Sequence, residues 1–249
     1  MFFKQLRVNR YALWAAAIFL CALAVSLLLG DTARRNRLAL TALDAVPVPA
    51  YPLIILDAGH GGIDGGAVAA DGTVEKDLNL AITLQLNDML RALGCETQLT
   101  REEDISLHDN EAKTVRQKKV SDIRGRTGLV NGSENALLVS IHQNKFPDSA
   151  VYGTQVFYSP NAPESRALAL ALQKNAALLL QPGNKKVVKQ AGTDIYLLYH
   201  AQKPAAMVEC GFLSNSAECE KLKDAGYQSQ LAFALACGIL EYLSLPPML

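Results

Sequence analysis

Four residues in this chain are of the types that hydrolytic metal centres use, and they fall at comparable places in its pattern. His60 lies three residues beyond Asp57, where an apolar run turns polar, in "IILDAGHGGIDGGAV" (residues 54–68). His142 directly follows "LLVSI", Glu209 directly follows "AAMV", and Glu75 stands where the glycine-rich loop gives way to a helical pattern. Two imidazoles and one carboxylate around zinc, with a fourth position left to water, is the pattern of catalytic zinc sites. A further carboxylate outside the ligand set would serve as base. In an open α/β sheet such groups gather beyond the carboxyl ends of the strands, which is where all four are expected. Spacing alone leaves alternatives open. His200 follows "YLLY" and competes as a ligand, and His108 lies in the polar stretch "EEDISLHDNEAK". Glu75 is equally an acid favoured at a helix N-terminus, and Glu209 a buried, paired carboxylate.

Other chemistries find less support. The loop GHGGxDGG lacks the Lys-Ser/Thr ending of a phosphate-binding P-loop. There is no GxSxG nucleophile motif. Cys210 is adjacent to Glu209, and neighbours on a strand face opposite ways, so only one of them can address the site. The five cysteines form no CxxC pair and read as small buried apolar residues.

The elements that must position these groups follow from periodicity. Leu53 to Asp57 reads as a buried strand. Leu78, Ile82, Leu86, Met89, Leu90 and Leu93 recur at three and four, an amphipathic helix with Gly94 at its C-terminal end. Cys95 to Thr100 is a second strand, residues 113 to 131 a basic helical stretch, Ala136 to Ile141 a third strand and Thr154 to Tyr158 a fourth. Pro163 to Leu180 reads as a helix, Ile195 to Leu198 and Ala205 to Val208 as strands, and residues 229 to 243 as a closing helix. Strands alternating with helices predict a single α/β domain, with a mostly parallel or mixed central sheet and helices on both faces. In the basic stretch, Lys113, Arg116, Lys118, Lys119, Arg124 and Arg126 read as a solvated face. Alternatively they form a groove for substrate carboxylates or a docking face for an activating protein.

With 249 residues, half of them apolar, the chain can bury a substantial core, and a formal net charge of +0 argues against a nucleic-acid partner. Residues 11 to 30, "YALWAAAIFLCALAVSLLLG", carry no charge. As a helix they would span ~30 Å, the thickness of a bilayer core. We therefore expect one N-terminal transmembrane helix as an anchor within residues 1–30. The rival is a signal peptide cut after "AVS" (Ala24 to Ser26), inside the apolar run. Residues 31–52, with Pro47, Pro49 and Pro52, read as a linker, and residues 53–249 as the catalytic domain.

Four segments, "DAGHGGIDGGAV", "DGTVEKDLNLAI", "SIHQN" and "VECGFLSN", occur in the order of the signature segments of the zinc-dependent N-acetylmuramoyl-L-alanine amidases, the Amidase_3 family. The chain resembles that family over about residues 52 to 243. Within it, "TREEDISLHDNEAKTVRQKKVSDIRGR" and "DIYLLYHAQKPAAMVECGFLSN" resemble the germination-specific, spore-cortex branch. The resemblance implies one Zn2+ per chain held by His60, Glu75 and His142, with Glu209 as catalytic carboxylate. It implies a supporting or substrate-contacting place for Asn144, and Asp57 is read as a partner to a ligand histidine. The implied reaction is hydrolysis of the amide joining the lactoyl group of N-acetylmuramic acid to L-alanine of the stem peptide. In the spore cortex this precedes muramic δ-lactam formation, with a deacetylase as pathway partner. A vegetative cell-separation amidase and a non-catalytic regulator of cell-wall hydrolases are the alternatives. The domain is expected outside the cytoplasm, on the cell-wall or forespore intermembrane side, held by the anchor or secreted if the N-terminal segment is cleaved.

Overall fold

The computed structural model describes residues 51–245. The anchor expected within residues 1–30 and nearly all of the linker lie outside the described residues. Among the described residues, no helix is long and apolar enough to cross a membrane.

Six strands form one mixed sheet in the order β2-β1-β3-β6-β4-β5. The strands are β1 (Leu53–Ala58), β2 (Thr97–Leu99), β3 (Ala136–Asn144), β4 (Gln155–Tyr158), β5 (Lys189–Gln190) and β6 (Ala205–Phe212). β2, β1, β3 and β6 run parallel, whereas β4 pairs antiparallel to β6. The carboxyl ends of the four parallel strands therefore share one edge, and the amino end of β4 joins it. The helices are α1 (Glu75–Ala92), α2 (Val115–Gly132), α3 (Glu164–Leu179), α4 (Tyr196–His200), α5 (Ser216–Lys223) and α6 (Ala225–Leu243).

Strand alternation sends β1 into two cores at once. Ile54 and Leu56 face a large cluster with Ile82 and Leu86 of α1, Leu168 and Leu172 of α3, and Leu231 and Leu235 of α6. Ile55 faces a smaller one with Val130 of α2, Leu197 and Leu198 of α4, and Met207 of β6. Asp57 continues the Ile55 side of β1. That side carries less apolar packing, and the sheet edge there is left to polar residues.

Four expectations are corrected. Ile195–Leu198 is not a strand: Tyr196–His200 is a short helix, with Tyr199 N–H on Ile195 O at 2.9 Å and Ala201 N–H on Leu197 O at 3.0 Å. A four-residue apolar run does not distinguish a strand from a buried helical turn. β3 and β6 do not stop at Ile141 and Val208 but continue to Asn144 and Phe212, so His142 and Glu209 lie inside strands. The closing helix begins at Ala225, because the Asp224 side chain accepts from Tyr227 N–H at 2.8 Å and caps it there. α5 and β5 are additional elements. Gly94, with φ +83°, follows α1 at the place the sequence indicates.

Candidate metal centre

The centre is assembled at the carboxyl edge from three directions. His60 sits in the loop after β1 with φ +62°, a left-handed conformation uncommon for a residue with a Cβ. Three successive carbonyls at this turn are held by two buried arginines. Arg101 donates from Nε to Ala58 O at 2.9 Å and from Nη2 to Gly59 O at 3.1 Å. Arg126 donates from Nη1 to Ala58 O at 2.9 Å and from Nη2 to His60 O at 2.7 Å. The loop is therefore clamped through its backbone, which fixes where the His60 ring starts.

Glu75 opens α1 and reaches back over the edge. Its Oε2 accepts from Ala67 N–H at 2.7 Å, and its Oε1 accepts from Gln143 N–H at 3.1 Å. The same Oε1 faces His60 Nε2 at 3.3 Å and His142 Nδ1 at 3.0 Å. Asn79, one helical turn on, donates from Nδ2 to Gly59 O at 3.0 Å and braces the loop against α1.

The glycines clear space for these side chains. A Cβ on Gly59 would lie 2.2 Å from His142 Nε2, so the imidazole packs directly on that backbone, leaving Nδ1 as its inward nitrogen. Gly66, at φ +70°, would meet Glu75 Oε2 at 2.5 Å and His60 Cδ2 at 2.7 Å if it bore a side chain.

His60, Glu75 and His142 are the group among the described residues whose donor atoms converge, all within 4.8 Å of one another. Donors at about 2.1 Å from one tetrahedral zinc stand roughly 3.4 Å apart. The 3.0 Å and 3.3 Å separations about Glu75 Oε1 are of that size. The residues present thus fit a zinc-type ion.

Glu209 is the register partner of His142 on the neighbouring strand, so both side chains leave the same face of the sheet. The β3–β6 register shifts between His142 and Asn144, an irregularity of the kind that re-aims side chains next to sites. Glu209 Oε2 is buried with no hydrogen-bond partner among the described residues. Burial raises the carboxyl to about 7, with repulsion from Glu75 adding to the rise and the two histidines opposing it. For His60, burial works downward, but hydrogen bonds to Asp64 and Glu75 outweigh it and lift the ring to about 9. For Glu75, burial works upward and is overcome by His142 and His60, which hold the carboxyl well below its ordinary range. Cys210 faces away from this group, and burial pushes its thiol far above the ordinary range, leaving no thiolate nucleophile.

The remaining expected residues fall elsewhere. Asp57 does not reach a histidine. Its carboxylate takes Arg126, Ser140 Oγ at 2.5 Å and Thr100 Oγ1 at 2.8 Å beneath the site. The carboxylate on His60 Nδ1 is Asp64, at 2.9 Å. Asn144 ties β3 to the following turn through its carbonyl, which accepts from Leu213 N–H at 2.7 Å. The His200 ring packs on Tyr196 with centroids 4.1 Å apart, and His108 Nδ1 lies 2.9 Å from Ser106 Oγ; neither joins the cluster. The basic helix is not uniformly solvated, since Arg126 is only 2% exposed.

A cavity of about 280 Å³ opens beside His60 and His142, between Lys119 and Ile123 of α2 and Asp194 to Leu197, with Met207 on its floor. A larger depression of about 610 Å³ lies against another part of α2, lined by residues such as Asp109, Arg116 and Arg124, and includes none of the clustered donors.

A family model described as N-acetylmuramoyl-L-alanine amidase matches residues 54–241. The germination-specific N-acetylmuramoyl-L-alanine amidase of Bacillus subtilis is 36% identical over 192 residues, 77% of this chain and 80% of that protein. The CwlD amidase from Clostridioides difficile, solved in complex with the GerS lipoprotein, aligns with a TM-score of 0.74 and 44% identity, covering 78% of this chain and 98% of that one. The catalytic domain of CwlV, an N-acetylmuramoyl-L-alanine amidase from Bacillus (Paenibacillus) polymyxa, aligns at 0.65 and 28% identity, covering 78% and 99%.

Proposed function

The chain belongs to the N-acetylmuramoyl-L-alanine amidase family, Amidase_3, and from that premise we propose a zinc-dependent amidase that releases stem peptides from the muramic acid of spore-cortex peptidoglycan. The observation that carries the reading is the convergence of His60 Nε2, Glu75 Oε1 and His142 Nδ1, with Glu209 beside His142 on the next strand. His60, Glu75 and His142 would hold the ion. Zinc, when bound, supplies a polarised amide carbonyl and a water that ionises near neutral pH.

The chain's own groups do the rest. Glu209 takes the proton of the attacking water and passes it to the departing alanine nitrogen. A carboxyl near neutrality can do both, because either protonation state is accessible. The clamped loop keeps His60 from drifting as substrate enters. The cavity between α2 and the start of α4 receives the groups flanking the scissile bond, and Met207 and Leu197 exclude water from its floor. Asn144, two residues beyond His142 on β3, would support the site or touch substrate, as the family resemblance implies.

Similarity to the germination-specific amidase of B. subtilis and to CwlD supports the cortex setting, in which the freed muramic acid would pass to a deacetylase for δ-lactam closure. The GerS complex of CwlD supports a lipoprotein partner for this chain as well. Residues 11 to 30 would anchor the domain on the outer side of the membrane, because the run is uncharged over a full bilayer thickness. N-terminal sequencing of the membrane fraction is expected to find a start upstream of the apolar run; a mature start at Leu27 overturns the anchor.

The deciding experiment is Glu209→Gln, assayed for release of stem peptide from purified peptidoglycan alongside zinc content. The substitution keeps size and removes the base. The variant is expected to retain about one zinc per chain and to lose roughly 10²–10⁴-fold in turnover. Hydrolysis at the wild-type rate refutes the assignment, and loss of zinc together with activity makes Glu209 a ligand instead.

A further inference from the structure

The proposed reaction gives the basic stretch from Lys113 to Arg126 no chemical step, and the structure divides it. Arg126 is buried beneath the loop, whereas Lys113, Arg116, Lys118 and Arg124 reach no carboxylate among the described residues. Arg126 reaches the backbone of His60, and Lys119 reaches the carboxylate on the His60 ring. Lys119 Nζ lies 2.7 Å from Asp64 Oδ1, and Asp64 Oδ2 lies 2.9 Å from His60 Nδ1. Asp64 Oδ1 also accepts from Gly66 N–H at 3.3 Å. The carboxylate is thus held on both oxygens by groups from separate parts of the chain, and only one oxygen is free to face the imidazole.

We propose that Asp64 and Lys119 are positioning residues that select the metal-binding nitrogen of His60. Asp64 accepts the Nδ1 proton, which fixes the tautomer with its lone pair on Nε2, the nitrogen 3.3 Å from Glu75 Oε1. Lys119 holds the second oxygen and so keeps the other one turned to Nδ1. An imidazole without this partner can rotate and exchange its two nitrogens, and it presents a weaker donor. Outer partners of this kind commonly govern metal affinity as much as they govern rate. The inference rests on reading His60 as a ligand, and its test separates the two.

The test uses the full chain as wild type, Asp64→Ala, Asp64→Asn, Lys119→Met, Lys119→Arg and Lys118→Met. Zinc affinity is read by competition with a chromophoric chelator, and ligand geometry by the visible spectrum of the cobalt(II)-substituted protein. Circular dichroism checks the fold of each variant. Asp64→Ala is expected to weaken zinc binding about 10–100-fold and to alter the cobalt spectrum. Asp64→Asn, which keeps size and one acceptor oxygen, is expected to fall between it and wild type. Lys119→Met is expected to lose several-fold in zinc affinity, with the deficit shrinking as salt is raised, because the ammonium is half exposed. Lys119→Arg is expected to restore affinity, and Lys118→Met to match wild type although it removes the same charge. Folded Asp64 variants with wild-type zinc affinity and an unchanged cobalt spectrum overturn the positioning role. A wild type that binds no zinc overturns the ligand reading itself.

Discussion

Gly59 leaves no room for a methyl group between the β1 loop and the His142 ring. A Cβ there would stand 2.2 Å from Nε2 and 2.3 Å from Cε1, so Gly59→Ala must displace the imidazole from its place beside Glu75. A misplacement near 1 Å in a catalytic group can cost about 10²-fold in rate. The variant is expected to lose zinc and at least that much stem-peptide release while staying folded, which metal analysis and circular dichroism will read together. At this scale the sequence exposed His60, Glu75, His142 and Glu209 as candidates because their types are scarce and each adjoins an apolar run or a helix start. It did not expose Asp64, Asn79, Arg101 or Arg126, whose residue types are common and whose partners lie 4 to 68 positions away. Asp57 was assigned the wrong neighbour for a physical reason. It is close to His60 along the chain, but strand alternation turns it down the sheet face toward Arg126.

Among the elements, α3 and α6 approach so closely that Gly238 is needed between them. Its Cβ would lie 2.9 Å from Leu172 Cα and 3.0 Å from Ala171 O, both backbone atoms that cannot rotate aside. Gly238→Ala should gain helix propensity yet separate the two helices. A net destabilisation of about 1–3 kcal/mol is expected, seen as a lower thermal midpoint. Hydrolysis at low temperature should be nearly unchanged, because the contact lies on the sheet face opposite the cavity. Elements with long periodic patterns, such as α1, were legible, whereas those built from a few residues were not. β5 is two residues long and α4 five. α5 did carry a readable signal in "NSAE": Asn215 accepts from Glu218 N–H at 3.1 Å, a helix start of the Ser/Thr/Asp/Asn type with an acid three residues on.

For the molecule as a whole, the ion pair between Asp57 and Arg126 joins the loop, β1 and α2, and its loss should register in global stability. Burial opposes ionisation of Asp57, but Arg126, Ser140, His142 and Thr100 together hold the carboxyl at about 2, against 3.8 ordinarily. A depressed carboxyl contributes stability that is complete above its unfolded value and is lost as pH falls through its folded value. Here that window runs from 3.8 down to about 2, and the loss amounts to about 2 kcal/mol. Urea titrations across this range are expected to show the decline in wild type and a flatter limb in Asp57→Asn. That variant should also be less stable near pH 7, by less than the ~3–5 kcal/mol of a broken buried pair, since Arg126 keeps Asp122 at 2.7 Å as its remaining counter-ion. The α/β class was legible from alternating patterns, but the strand order was not, because pairing over long separations leaves no local mark. That order has a consequence for timing. β6 comes after the five other described strands in the chain, yet it lies between β3 and β4 and carries Glu209. A ribosome delivering the chain from its N-terminus releases His60, Glu75 and His142 well before the strand that joins the two halves of the sheet. Until that strand arrives there is neither a finished sheet nor the carboxylate proposed as proton acceptor, so a growing or truncated chain is expected to leave peptidoglycan uncut.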